Sequence, residues 1–314
     1  MLTSPQSATH RLRSKRISDF VTPSNSSYRT AVGFLDQIVG SFSTGADGNP
    51  TVAMMDASFA HEGLGWRYVN CEVPPDSLAA AVAGAAAMGW RGFNCSIPHK
   101  QNVIAHLDAL APAAEVCQAV NCVVAEPDGR RVGHNTDGRG FLDSLTAKLD
   151  PAGRRVLLIG SGGAAHAIAA ELALAGAGSV TVTSRNAGTA ASLVDLVNGV
   201  APGAGRLLDW PPGADPIVVP GDVDVVVQAT PVGMTPNDGE TVPVDWSGTG
   251  TDTIAADVVI NPPRTRFLTE AAAAGAVMLD GTGMLVNQAA ENIRLWAGVD
   301  VDRSVLRSAL EATF

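Results

Sequence analysis

Short apolar runs alternate along the chain with longer segments of helical spacing, and turns rich in Gly, Pro, Asn and Asp separate them. Regular structure is predicted to begin at 30–35, with 37–40 close behind. A glycine-rich loop over 41–50 follows, then a helix over 52–62 in which Met54, Met55, Ser58 and Phe59 share one face. The next strand is 66–73. After Pro74 and Pro75, the alanine-rich stretch 77–88 reads as a buried helix ended by Gly89. Residues 91–97 read as a strand whose end carries Pro98, His99 and Lys100. This β-α-β-α-β order predicts a mostly parallel sheet. Helical spacing resumes over 103–110 and 113–118, before a strand at 119–125, a turn at 127–130 and the segment 131–134.

At the middle of the chain stands Gly133-His134-Asn135-Thr136-Asp137-Gly138-Arg139-Gly140, followed by Phe141, Leu142, Leu145 and Leu149 at helical spacing. Asp137 reads locally as the N-cap of that helix. Its company suggests chemistry as well, because Asn94 to Lys100 also lies at a strand end, where open α/β sheets bind ligands. Downstream, the apolar strand 156–159 runs into Gly160-Ser161-Gly162-Gly163-Ala164 and a helix over 164–175 ended by Gly176, and a second strand follows at 179–183. Gly160, Gly162 and Ala165 fit the G-x-G-x-x-G/A pattern, in which glycines allow a tight turn and let a pyrophosphate approach the amides of a helix N-terminus. The second strand ends in Ser184-Arg185-Asn186, with no Asp or Glu to receive a ribose 2′-hydroxyl, so a 2′-phosphate paired with Arg185 is favoured: NADP before NAD. Further strands are predicted at 217–219, 223–230, 254–260 and 277–280, and helices at 265–274 and 285–297; the last is expected to return to the first half and close a cleft.

Composition narrows the possible partners. With 314 residues, 46% hydrophobic and 17% charged, the chain suits a two-domain globular protein, and its formal charge of −10 argues against nucleic acid or an anionic membrane surface. No run approaches the roughly 18 apolar residues of a membrane span, and no signal-peptide core opens the chain, so a cytoplasmic location is expected. Cys71, Cys95, Cys117 and Cys122 form no C-x-x-C pair and read as reduced thiols. Residues 1–29, with Arg11, Arg13, Lys15 and Arg16, read as a polar, partly disordered tail, a transit peptide or docking arm being the alternatives. His99, His134 and Asp137 lack the spacing of a metal site, and no metal is expected.

The order of motifs is similar to that of the shikimate dehydrogenase family, which also holds quinate dehydrogenases. The resemblance covers residues 30–314 and rests on Gly92-Phe-Asn-Cys-Ser-Ile-Pro-His-Lys100, Ala119-Val-Asn-Cys122, Gly133-His-Asn-Thr-Asp-Gly138, Gly160-Ser-Gly-Gly-Ala164, Ala229-Thr-Pro-Val-Gly-Met234, Asp257-Val-Val-Ile-Asn-Pro262 and Gly281-Thr-Gly-Met-Leu-Val-Asn-Gln-Ala-Ala290. It implies an α/β fold with a substrate domain (30–136 with 283–314), a Rossmann-type dinucleotide domain (137–282) and a cleft between them. It also implies hydride transfer between the nicotinamide of NADP, NAD being possible, and a ring carbon of a cyclic hydroxy acid, interconverting shikimate and 3-dehydroshikimate. Lys100 and Asp137 would be the proton-transfer pair, and Asn94, Ser96, Asn121 and Gln288 would line the substrate. Cofactor contacts would come from Gly160, Ser161, Gly162, Gly163, Ala164, Ser184, Arg185, Asn186, Thr230, Pro231, Gly233, Met234, Gly281 and Met284, and a homodimer is plausible by the same resemblance. The family's early Ser-x-Ser pair is replaced by Asn49 and Thr51, and its tyrosine before Asn-Pro by Ile260. Both changes fall on substrate-facing positions, so quinate, another polyhydroxy acid or a polyol is an alternative substrate, and a non-catalytic dinucleotide sensor is an alternative role.

Overall fold

The computed structural model describes residues 35–210, 213 and 216–314; the tail and nearly all of the strand expected at 30–35 lie outside the described residues. The first half contains β1 (Gln37–Ser43), α1 (Thr51–His61), β2 (Trp66–Glu72), α2 (Leu78–Ala87), β3 (Gly92–Cys95), α3 (His99–Asn102), β4 (Ala109–Leu110), α4 (Pro112–Cys117), β5 (Cys122–Ala125) and β6 (Arg131–His134). They form a six-stranded sheet of order β2-β1-β3-β5-β6-β4, parallel except for the antiparallel run β3-β5-β6.

Three local expectations change. Ser41, Phe42 and Ser43 belong to β1 and not to a loop, because pairing with strands on both sides overrides their turn-like composition. Ala109 and Leu110 leave the predicted helix to pair with Val132 and Gly133 of β6. Helix α2 is not buried all round: Leu78, Val82 and Ala85 face the core, while its other alanines serve an exposed face where they cost little.

The second half runs α5 (Thr136–Thr146), β7 (Arg155–Ile159), α6 (Gly163–Leu174), β8 (Ser179–Thr183), α7 (Ala187–Val200), β9 (Gly205–Leu207), β10 (Ile217–Val218), β11 (Val225–Gln228), β12 (Val244–Asp245), β13 (Ile254–Asp257), α8 (Arg266–Ala273), β14 (Val277–Leu279), α9 (Gly281–Ala297) and α10 (Arg303–Glu311). Its sheet is wholly parallel, in the order β14-β13-β11-β7-β8-β9, and β10 pairs apart from it with β12. The order reverses beside β7, so the glycine turn after that strand opens at the crevice where such sheets bind ligands.

As expected, α9 returns to the first half. Val286, Ala289, Ile293 and Trp296 pack with Met54, Met55, Phe59, Trp66 and Tyr68, and Trp296 Nε1 donates to the Val123 carbonyl at 2.9 Å. The helix starts at Gly281, earlier than its apolar spacing shows, because the Asp280 carboxylate caps the amides of Thr282 and Gly283. Cys95, Cys117 and Cys122 are buried and Cys71 is half-buried, all as free thiols. Among the described residues no helix is long and apolar enough to cross a membrane.

Candidate active site

Lys100 and Asp137 are 37 residues apart in sequence and meet at 2.5 Å, Nζ to Oδ2. Two local rules bring them there. The chain leaves β3 through Ser96-Ile97-Pro98 and turns at once into α3, which holds Lys100 in its first turn. It leaves β6 through Asn135, and Asn135, not Asp137, caps α5, its Oδ1 accepting from the Gly138 amide at 3.3 Å. The cap moves two residues upstream because Thr136 is already helical. Asp137 therefore sits inside the first turn, where the helix dipole favours a negative charge and its carboxylate is free to face Lys100.

The rest of the carboxylate is also held. Asn121 Nδ2 donates to Asp137 Oδ1 at 2.8 Å and to Thr136 Oγ1 at 3.0 Å, while Asn121 Oδ1 accepts from the Thr136 amide at 2.7 Å. Thr136 in turn donates to Asn292 of α9 at 2.7 Å. Both amide hydrogens of Asn121 are thus engaged within the protein. Asp137 is 13% exposed and Lys100 31%, so the ammonium is the member of the pair open to a ligand.

A second cluster lies on the first sheet. Strand register sets Ser41 beside Asn70 on one side and beside Asn94 on the other. Ser41 Oγ donates to Asn70 Oδ1 at 2.8 Å, and Asn49 Nδ2 reaches both Asn70 Oδ1 and Ser41 Oγ at 3.3 Å. The Tyr68 hydroxyl donates to Asn94 Oδ1 at 2.9 Å, and Asn94 Nδ2 donates to the Asn121 carbonyl at 2.9 Å, which joins this cluster to the Lys100–Asp137 pair. Burial pushes the Tyr68 hydroxyl far above its ordinary pKa, so it is a neutral donor. Ser41, Tyr68 and Asn70 were absent from the sequence-derived site. The i, i+2 spacing of Tyr68 and Asn70 is a signal only once strand register is known. Of the other expected substrate residues, Thr51 is buried at the start of α1, Ser96 is exposed just past β3, and Gln288 is half-buried on α9; none makes a side-chain hydrogen bond among the described residues.

At the second sheet, Gly160 adopts φ +116°, and a Cβ there would lie 2.8 Å from the Ala229 carbonyl, so the turn after β7 requires glycine. Gly162 caps α6 without a side chain and Gly163 opens it; a Cβ on either would meet nothing within 4 Å, which leaves open space before the helix amides next to Ala164. Ser161 is tied to Ser184 at 2.9 Å and to Thr189 at 2.6 Å, and Asn186 caps α7. Arg185 is exposed and makes no ion pair among the described residues. Open amides with an uncompensated guanidinium beyond them fit a dinucleotide carrying a 2′-phosphate. Thr230, exposed Pro231, Gly233 and exposed Met234 form the facing loop, while Gly281 and Met284 lie in the first turn of α9.

That loop is anchored from below. Gln228 Oε1 accepts from the Thr230 amide at 2.5 Å, and Gln228 Nε2 donates to Val232 O at 3.0 Å and Asp257 Oδ1 at 3.2 Å. Burial pushes Asp257 up to about 6, although Thr265, Val259 and Gln228 all donate to it. The folded protein then keeps a proton that the unfolded chain has released between about pH 4 and pH 6. Stability from this group falls as pH rises through that window, by up to about 3 kcal/mol. Urea unfolding of the parent and Asp257→Asn at pH 4 and pH 7 should show the parent losing ground to the variant at the higher pH; a constant difference would refute the assignment.

His99 is buried and hydrogen-bonds the Val73 carbonyl through Nε2 at 2.8 Å, and burial pushes His134 below its ordinary pKa. No group of three or more metal-binding side chains occurs among the described residues.

Two family models match the chain: the shikimate dehydrogenase substrate binding domain over residues 50–123 and the shikimate 5′-dehydrogenase C-terminal domain over 281–311. The shikimate dehydrogenase (NADP(+)) of Desulforamulus reducens is 35% identical over 279 residues, which cover 87% of this chain and 94% of that protein. The chain belongs to the shikimate dehydrogenase family. Membership accords with the α/β architecture and the oxidoreductase class expected from the motifs. Among solved structures, the ligand-free 5-ketofructose reductase of Gluconobacter sp. strain CHM43 superposes with a TM-score of 0.86 at 46% identity, covering 90% of this chain and all of that one. The shikimate 5-dehydrogenase of Thermus thermophilus, in complex with NADP(H) and shikimate, gives 0.76 at 29% identity and covers 88% and 100%.

Proposed function

We propose that this protein is an NADP-dependent reductase that converts an uncharged polyhydroxy ketone to the corresponding alcohol, and the reverse. Its first sheet, with α9 and α10, holds the substrate, and its second sheet holds the cofactor. The observation that carries the substrate class is the direction of the hydrogen bonds around Asn70. Ser41 and Asn49 both spend donors on the Asn70 side-chain carbonyl. A substrate carboxylate entering here would meet an acceptor and no cation, and burying an unpaired charge costs several kcal/mol. A polyol hydroxyl, unlike a carboxylate, can donate to the Asn70 side-chain carbonyl and to the lone pairs of Ser41 Oγ, whose one hydrogen is already spent. The likeness to a reductase of 5-ketofructose, a neutral ketose, supports the same class.

When bound, NADPH supplies the hydride; the protein's own residues supply alignment and the proton. The Lys100 ammonium hydrogen-bonds the substrate carbonyl oxygen, stabilises the negative charge that grows there and delivers the proton that makes it a hydroxyl. Asp137, fixed by Asn121, aims the ammonium. Arg185 receives the 2′-phosphate.

A second reading keeps shikimate and 3-dehydroshikimate as the pair. It rests on the names of the curated relatives and on the buried Thr51, whose hydroxyl has no partner among the described residues. Loss of NADPH absorbance with 5-ketofructose and with 3-dehydroshikimate decides between them. A kcat/KM at least about 100-fold higher for the ketose is expected, since about 3 kcal/mol of the cost of an unpaired carboxylate already gives that ratio. Preference for 3-dehydroshikimate would restore the second reading, and no turnover of either would favour a non-catalytic sensor. In the same assay Arg185→Ala should raise the KM for NADPH about 10- to 100-fold, the worth of a charged hydrogen bond, and leave that for NADH unchanged.

A further inference from the structure

Beside Gly283, Val286 and Asn287, a cavity of about 1030 Å³ lies between α5, the start of α9 and α10. Arg139, Lys148, Arg303 and Arg307 line it. Four cations at one cavity are unusual in a chain whose formal charge is −10.

Their partners are more telling than their number. Arg67, Arg130, Arg131, Arg154, Arg155, Arg266 and Arg294 each lie against a carboxylate. Arg303 and Arg307 do not. Arg303 Nε donates to Asn287 Oδ1 at 3.0 Å, and Arg307 Nη1 donates to Thr282 Oγ1 at 2.8 Å. Neutral acceptors orient both guanidinium groups, neither makes an ion pair among the described residues, and the four cations outnumber the two carboxylates, Asp143 and Asp280, that line the cavity. They stand four residues apart in the first turns of α10, whose N-terminus adds positive potential, and Lys148 makes no ion pair among the described residues. The two carboxylates that line the cavity are already engaged. Asp143 pairs with Arg139 at 2.9 Å, and Asp280 caps α9.

The geometry points to a second ligand site here, for a small polyanion bearing two or more charges as phosphate or carboxylate groups. Two pre-oriented guanidinium forks match such oxygens bidentately, and Lys148 adds a mobile point charge. Like charges this close repel one another when the site is empty, and an anion removes that cost. A ligand held by Arg303 and Arg307 would clamp α10 to α9 and, through Arg139 and Lys148, to α5. Those two helices carry Gln288 and Asp137, so occupancy also stiffens the frame of the candidate active site without touching it.

The test uses the full chain saturated with NADP⁺, so that anions do not report the dinucleotide site. Pyrophosphate and citrate are titrated separately at constant ionic strength set with sodium chloride, and binding is followed by calorimetry and thermal unfolding. Saturable one-site binding is expected, weakened at least about tenfold in the Arg303→Gln/Arg307→Gln double variant, as loss of charged hydrogen bonds requires. Preference for pyrophosphate would identify a phosphate ligand, and preference for citrate a polycarboxylate. Should the double variant fail to fold, Arg303→Gln alone and Lys148→Gln, both at exposed positions, provide the same comparison. No saturable binding beyond chloride, or full affinity in the variants, would overturn the site. The outcome does not depend on which ketone or acid the enzyme turns over.

Discussion

Lys100→Ala is expected to lower kcat about 1,000-fold, with the KM for NADPH and the thermal unfolding temperature nearly unchanged. The size follows from the two jobs proposed for the ammonium. Proton delivery by a placed acid contributes about 10²- to 10⁴-fold, and a charge aimed at a developing alkoxide contributes on a similar scale, but one group performs both and the losses do not multiply. The unchanged stability follows from exposure. Lys100 is 31% exposed, and removing its ammonium leaves an Asp137 carboxylate still bonded to Asn121 and still at a helix N-terminus. Asp137→Asn should lower kcat as well, since an amide aims the lysine less firmly. A variant Lys100→Ala with near-parent kcat would remove the proton-transfer role, and one that lost NADPH affinity would show that Lys100 supports the cofactor instead.

Gly140→Ala is expected to destabilise the protein by about 2 kcal/mol and to reduce kcat. A Cβ at Gly140 would lie 2.3 Å from the Met284 carbonyl and 2.8 Å from the Gln288 amide, both main-chain atoms that no rotamer change can move. Two effects compete. Alanine in a helix gains about 1 kcal/mol over glycine, and overpacking costs about 3 kcal/mol when backbone must shift. The second wins, lowering Tm by roughly 4–8 °C. The same displacement parts α5, which carries Asp137, from α9, which carries Gln288. Gly84→Ala in α2 is the control, because a Cβ there meets nothing within 4 Å. It should stabilise by up to about 1 kcal/mol. If both substitutions moved Tm in the same direction, close approach of α5 and α9 would not be the cause.

Much of this architecture could be read before any coordinates. Strands β7 and β11 carry near-continuous apolar runs because both faces of a parallel sheet are buried, and the Gly160 turn announces itself because only glycine tolerates its backbone and its neighbours. Lys100 and Asp137 stood out by motif, and the structure brings them together at 2.5 Å. Spacing alone could not say which residue caps α5, since Asn135, Thr136 and Asp137 can all accept an amide. Phi and psi at Asn135 settle it and turn Asp137 toward the lysine.

By itself the sequence determined the class of fold, most of its strands, the dinucleotide turn and the identity of the charged pair, while α7, α10, β4, β9 and β12 went unread. Each feature it determined is local in the chain: periodicity, a glycine where no other residue fits, a carboxylate and an amine at strand ends. Only the tertiary structure decided what surrounds the pair. Ser41 and Asn70 come from neighbouring strands, and their side chains meet because β1 pairs in one register with β2; a slip of one residue would turn them to the other face. Asn292 reaches Thr136 across 156 residues, and Arg303 and Arg307 face one cavity only because α10 folds back on α9. Contacts of that kind depend on how whole elements pack, and no spacing along the chain encodes them.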